Sequence, residues 1–309
     1  MESDMNGVER IEEYIALPPE PPRHLPNIPA HWPPANADIV YDNVVLRYAP
    51  DLEPVLRGVS FTVKAGEKIG IVGRTGSGKS TLAMSLFRFV DPDEGRILIG
   101  GMDITHMGVE DLRASLTFIP QDAVLFSGTV RDNLVRIYAG FALSIMELGY
   151  RIPLESTPTQ NLPVDAAEVP ATTSQSTSPS GTVTSAQTLV TLDSKVSEGG
   201  ANWSAGQRQL IAMARALLRN TGITVLDEST ASVDFETDKK IQQTIRAHFK
   251  DGILLTIAHR LQTIIDYDRV LVLQEGKIVE FDTPARLIAV EGGVFRGMCI
   301  KSEHSLRNP

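Results

Sequence analysis

The eight residues from Gly73 to Ser80 (Gly73, Arg74, Thr75, Gly76, Ser77, Gly78, Lys79, Ser80) carry the sharpest chemical pattern in the chain. They match the spacing G-x-x-x-x-G-K-[ST] in full, after an apolar run and before a helical pattern. Gly76 and Gly78 can adopt positive φ, which lets the backbone curl around an anion. Loop N–H groups and the N-terminus of the next helix then face a β-phosphate. Lys79 would neutralise charge on the β- and γ-phosphates, and Ser80 can ligate Mg2+.

A phosphate loop of this kind needs a remote carboxylate. The run from Ile223 to Glu228 supplies it, as a buried strand with Asp227 at its C-terminal end. Ligands bind at that end in parallel α/β sheets. Asp227 would hold Mg2+ through water, and Glu228 is the candidate general base for an attacking water. Alone, an Asp-Glu pair after an apolar run is an ordinary helix cap. With the phosphate loop, the two features read as a P-loop ATPase or GTPase.

A third feature lies at Ser204, Ala205, Gly206 and Gln207, ahead of a helical pattern over Gln207–Leu218. Small residues and free N–H donors at a helix start make a second anion site, one that could contact a nucleotide held by a partner. Ser204 is equally a good N-cap, and spacing does not choose between these readings.

The elements that must hold these residues follow from periodicity. Strand patterns cover Ile39–Tyr41, Val44–Tyr48, Ser60–Val63, Lys68–Val72, Arg96–Ile99, Leu116–Ile119, Ile223–Leu226 and Ile253–Ile257. Val270–Leu273 and Lys277–Glu280 form a hairpin around Glu275 and Gly276, and helical patterns cover Thr81–Phe89 and Glu236–His248. The alternation predicts an α/β fold with a mostly parallel central sheet.

Composition sets the limits. Of 309 residues, 42% are hydrophobic, enough for a sizeable core, and the net charge of −9 argues against a surface that wraps nucleic acid. A single cysteine, Cys299, excludes an internal disulfide framework and fits a reducing compartment. No apolar run reaches the roughly 18–20 residues of a membrane span, and the acidic N-terminus lacks a signal peptide. Val8, Ile11 and Ile15 share one helical face, and positions 18–34 then hold eight prolines in 17 residues, an extended semi-rigid linker. Residues 152–194 contain 21 Ser, Thr or Pro among 43 and no Lys or Arg, so this segment is expected to be a disordered insert.

Set beside these motifs, the chain resembles the nucleotide-binding domain of ATP-binding cassette (ABC) transporters. Trp203 to Gln207 occupies the place of the L-S-G-G-Q signature. Tyr48 matches the aromatic that stacks on adenine, Gln121 the Q-loop glutamine, Asp234 the D-loop and His259 the switch histidine. The stretches Pro50–Ser60, Val196–Gly200 and Thr256–Leu261 look most like the second cassette of the C subfamily, the multidrug-resistance-associated type. The resemblance implies an ABC-type ATPase core with an antiparallel β subdomain and an α-helical subdomain carrying the insert. It divides the chain into a leader over 1–37 like the segment after a last transmembrane helix, a cassette over 38–300 and a tail over 301–309.

It also implies ATP and Mg2+ as cofactors. Tyr48, Gly73–Thr81, Ser204–Gln207 and Asp234 would contact nucleotide. Ser80, Gln121 and Asp227 would form the metal shell, and Lys79, Gln121, Glu228 and His259 would act in hydrolysis. The partners it implies are a second cassette, closing head to tail, and the membrane domains of an exporter, with the chain at the cytosolic face of a membrane. Glu228 with the variant Trp203 and Ala205 fits the asymmetry usual in the C subfamily. After Leu134 the sequence departs from the family's Asp-Pro-Phe and acidic helix, which places coupling in question. The competing readings are a non-hydrolysing, ATP-binding regulatory remnant without membrane domains, and a soluble ABC ATPase of DNA repair or translation.

Overall fold

A computed structural model describes residues 10–12, 14–16, 20–26, 28–29, 32–34, 36–134, 190–219, 221–227, 245, 252–258 and 260–307. The chain divides into two compact units, residues 1–127 with 196–309, and residues 128–195. Of the expected helix over Glu236–His248 only Ile245, helical and buried, is described, and most of the Ser/Thr/Pro insert lies outside the described residues.

The larger unit begins with an antiparallel sheet ordered β2-β1-β4-β5, made of β1 (Ile39–Leu46), β2 (Leu56–Val63), β4 (Glu94–Ile99) and β5 (Met102–Asp103). Sequence reading split β1 in two. The structure shows one strand whose pairing shifts between Tyr41 and Val44, where Asn43 takes a φ of 50°. A β-bulge of this kind interrupts the alternation that marks a strand. Gly58 (φ 72°) likewise interrupts β2, which starts at Leu56 rather than Ser60.

The second sheet is ordered β12-β11-β3-β10-β9-β6. β3 (Lys68–Gly73) lies between β10 (Ile253–Ile257) and β11 (Arg269–Gln274), and β9 (Ile223–Asp227) joins β10 to β6 (Leu116–Ile119). All these pairs are parallel; β12 (Lys277–Asp282) alone runs antiparallel, against β11. Both faces are covered, which explains the unbroken apolar runs of β3, β9 and β10. Ile69, Ile71, Val225 and Leu255 join a core with the antiparallel sheet and α1 (Lys79–Leu86). Val72, Leu226 and Leu254 turn to the other face. There they meet Met213 and Ala216 of α3 (Ala205–Arg219) and Phe295 of α5 (Val294–Arg307). The larger unit also contains α2 (Val109–Ser115) and α4 (Pro284–Ala289).

Tyr41 joins the antiparallel sheet to α1. Its buried hydroxyl donates to the Leu82 carbonyl at 3.0 Å and lies 3.3 Å from Ser85 Oγ. Burial pushes its phenol far above the ordinary value, so it stays a neutral donor.

In the smaller unit, the Val130 N–H donates to the Ser194 carbonyl at 3.0 Å and the Arg131 N–H to the Leu192 carbonyl at 2.7 Å. Asp132 accepts from the Thr129 N–H and hydroxyl at 2.9 and 2.8 Å, a local turn that starts a helix.

Candidate active site

β3 ends at the centre of the mixed sheet and runs straight into the phosphate loop. Gly76 and Gly78 take φ of 79° and 100°, the left-handed geometry expected of them. Gly78 is the N-cap of α1, and no side chain caps that helix, so its first N–H groups face the loop. Nothing lies within 4 Å of where a Cβ on Gly76 would stand, whereas one on Gly73 would overlap the Leu273 carbonyl oxygen. The loop is therefore open on one side and walled on the other.

Lys79 is buried, with 8% of its surface exposed, and its ammonium donates to the Gly73 and Arg74 carbonyls at 2.9 and 3.0 Å. Burial holds its pKa below the usual lysine value, and the charge of Asp227 partly opposes this. Asp227 ends β9 in register with Ile257 of β10, which pairs with Ile71 of β3. Asp227 and the phosphate loop thus stand at the C-terminal ends of two parallel strands with β10 between them. Ser77 Oγ is buried without a hydrogen-bond partner. An orphan buried hydroxyl and a buried cation in the same loop are the groups that an oxyanion would satisfy. Ser80 is exposed at the start of α1, and its hydroxyl is reachable.

Tyr48 falls two residues after β1 ends, which frees its ring, 55% exposed, from the sheet. Its hydroxyl lies 3.1 Å from Thr81 Oγ1 on α1. Gln121 follows β6 at the edge of the sheet and is exposed. Ile119 pairs with Leu226, so the next positions, Pro120 and Asp227, come level at the same strand ends. Glu228, Asp234 and His259 lie outside the described residues.

Ser204 is the N-cap of α3. The Gln207 N–H donates to its hydroxyl at 3.2 Å, and the Ser204 N–H donates to Gln207 Oε1 at 3.0 Å. This reciprocal capping box starts α3 at Ala205, two residues before the sequence reading placed it. Trp203 is buried, and its carbonyl accepts from Arg208 at 2.9 Å.

One participant escaped the sequence reading. The Gly276 N–H donates to the Ser77 carbonyl at 3.1 Å, and the Gly276 carbonyl accepts from the Arg57 N–H at 2.9 Å. Glu275 and Gly276, with φ of 49° and 75°, turn the β11–β12 hairpin and buttress the phosphate loop at the same time. Only the turn was legible; nothing local says what a turn leans on.

The family model described as ABC transporter matches residues 56–231, more than half of the chain. The chain belongs to the ABC transporter family. It is 45% identical over 305 residues to "ABC-type transporter cicA" of Emericella nidulans, covering 98% of this chain and 21% of that protein. It is 45% identical over 300 residues to "ATP-binding cassette sub-family C member 3" of Rattus norvegicus, covering 96% of this chain and 18% of that protein. The chain thus spans about a fifth of the length of these curated relatives. Among solved structures it is similar to a bacterial Atm1-family ABC exporter with ATP bound. The TM-score is 0.72 and the identity 31%, over 98% of this chain and 48% of that one.

The ABC fold expected from the motifs is therefore the fold observed, with a four-stranded antiparallel sheet and a six-stranded mixed sheet in the larger unit. ABC domains of this family bind ATP and are generally ATPases. No helix among the described residues is long and apolar enough to cross a membrane. No cluster of three or more His, Cys, Asp or Glu residues able to hold a metal is found among them.

Proposed function

We propose that this chain is the ATP-binding and ATP-hydrolysing cassette of an ABC exporter of the multidrug-resistance-associated type, driving export by ATP-dependent pairing with a second cassette. One observation carries most of this reading: the buried Lys79 ammonium, already aimed by two loop carbonyls, faces Asp227 beside the orphaned Ser77 hydroxyl. Phosphate oxygens can take over the lysine's donors and satisfy Ser77 in one step, which makes binding and loop ordering the same event.

The residues fit Mg2+ in a particular way. Mg2+ favours one or two protein ligands plus phosphate oxygens and water over an all-protein cage. Ser80, Gln121 and Asp227 would supply the protein share, and the ion would draw charge from the transferring phosphoryl group. Tyr48 offers its face to adenine, and Thr81 anchors that tyrosine. Glu228 orients and deprotonates the attacking water, and His259 steadies the γ-phosphate. Positioning and charge stabilisation then account for catalysis. Ser204, Ala205, Gly206 and Gln207 would meet the nucleotide of the second cassette, and Asp234 would lie at the same junction.

On this reading residues 1–37 connect the cassette to a membrane domain and residues 38–300 form the cassette, at the cytosolic face of a membrane. The regulatory-remnant alternative gains no support from the relatives, which are named as an ABC-type transporter, a member of ATP-binding cassette sub-family C and an ABC exporter. The deciding measurement is phosphate release by the purified chain against Glu228→Gln. The variant should keep ATP binding and lose on the order of 10²–10⁴-fold in rate. Equal rates would remove Glu228 from its role.

A further inference from the structure

The proline-rich stretch ahead of β1 is fastened to the cassette, and its seat is tied to the end of the phosphate-loop helix. The Val109 N–H donates to the Pro22 carbonyl at 3.2 Å and the Glu110 N–H to the Arg23 carbonyl at 3.1 Å. His24 Nδ1 lies 2.9 Å from Asp111, and Glu20 pairs with Arg113 at 2.6 Å. Farther along, Trp32 donates its indole N–H to the Ile99 carbonyl at 3.3 Å and packs with Ile28 against the core.

Gly108 makes this seat possible. A Cβ there would collide with the Arg23 carbonyl oxygen and stand 2.6 Å from His24 Cα. Its own backbone, at φ −64° and ψ 138°, is ordinary for any residue. Glycine is therefore demanded here by the strap and not by the local conformation.

Two arginines connect the seat to α1. Just past α1, Arg88 takes a φ of 52°, and its buried guanidinium donates to the Ile104 and Met107 carbonyls at 3.1 and 2.8 Å. The same group holds Asp91 through Nε and Nη2, at 2.8 and 3.0 Å. Met107 immediately precedes Gly108. Arg113 donates to the Phe87 and Arg88 carbonyls at 3.0 and 3.1 Å while it pairs with Glu20. An unbroken chain of bonds thus runs from Lys79 along α1, through Arg88 and Arg113, to the strap.

We infer that docking of the strap (residues 20–26, 28–29 and 32–34) on the Gly108 seat is energetically coupled to nucleotide occupancy of the phosphate loop. This rests on the ATP-binding reading above. A network of packed bonds transmits coupling only if some element has two arrangements that both sites bias, and here that element is the strap, docked or released. Reciprocity then fixes the test: if nucleotide favours the docked strap, releasing the strap must weaken nucleotide binding by the same factor.

The probes are AMP-PNP with Mg2+, a direct titration, and hydrogen exchange at the Val109 and Glu110 amides in the full chain. Without nucleotide, Gly108→Ala should expose both amides. In the unmodified chain AMP-PNP should slow their exchange by about fivefold or more, and Gly108→Ala should raise the Kd for AMP-PNP by the same factor. A double variant, Glu20→Ala with His24→Ala, alters only surface ion pairs and should move both readouts the same way by less. Unchanged exchange in Gly108→Ala would overturn docking. Released amides with an unchanged Kd would overturn coupling. Failure of the unmodified chain to bind AMP-PNP would sink the ATP-binding reading and the coupling together, while the nucleotide-free exchange would still report docking.

Discussion

The phosphate loop and the start of α3 look alike on paper, since each places small residues and N–H donors at the head of a helix. They differ in what is satisfied. At Ser204 the capping box closes on itself, with the Ser204 and Gln207 side chains each accepting the other's backbone N–H in an exposed turn. At Gly73–Ser80 the helix has no side-chain cap, a hydroxyl is buried without a partner, and the lysine is parked on backbone carbonyls. The start of α3 has a side-chain cap, whereas the phosphate loop has a cation and an open hydroxyl in the same loop. A helix start holds an anion on its own most readily when its donors are left open and a cation is held nearby.

Substitutions can break this contrast. The largest effect is expected from Lys79→Ala. It should weaken ATP binding about 100-fold or more, from two charge-assisted bonds at ~1.5 kcal/mol each, as read by titration with a fluorescent nucleotide. Wild-type affinity in this variant would end the account of the loop. Gly73→Ala drives a Cβ into the Leu273 carbonyl and to 2.5 Å from Ser77 Oγ. It should cost about 1–3 kcal/mol in denaturant unfolding and lower nucleotide affinity with it.

Ser204→Ala sharpens the comparison from the other side. Loss of the N-cap should cost about 1 kcal/mol of stability by thermal unfolding. Affinity at the chain's own phosphate loop should stay as it was, while hydrolysis in the paired state falls. If nucleotide affinity of the unpaired chain fell as well, the two regions would be one site. The smallest effect belongs to Tyr48→Phe, which keeps the ring but loses the contact to Thr81 Oγ1. A rise in the Kd for ATP of about fivefold, ~1 kcal/mol for one neutral hydrogen bond, is expected. A larger rise in Tyr48→Trp than in Tyr48→Phe would show that ring fit, and not the hydroxyl, sets the position.

Much of the site was readable because its bonds are local. Lys79 reaches carbonyls only five and six residues back, so spacing alone dictates the ring they close. The strand bearing Asp227 announced itself by five residues buried or nearly so between two neighbours. Where reading by pattern went astray, local geometry departed from its period. The bulge at Asn43 broke β1 in two, and Gly58 hid the first half of β2. The proline-rich leader shows the opposite failure. Its composition says extended and says nothing of the Gly108 seat that receives it.

The sequence by itself determined the phosphate-loop pattern, the carboxylate at the end of a buried strand and the alternation of strands and helices, because each depends on residue type and spacing within one or two turns of chain. Only the tertiary structure decided that the Gly276 turn props the loop, that Tyr41 pins the antiparallel sheet to α1, and that the strap closes over Gly108. Those contacts join segments far apart in the chain, and their partners are backbone N–H and C=O groups that every residue carries, so no residue type marks them in advance.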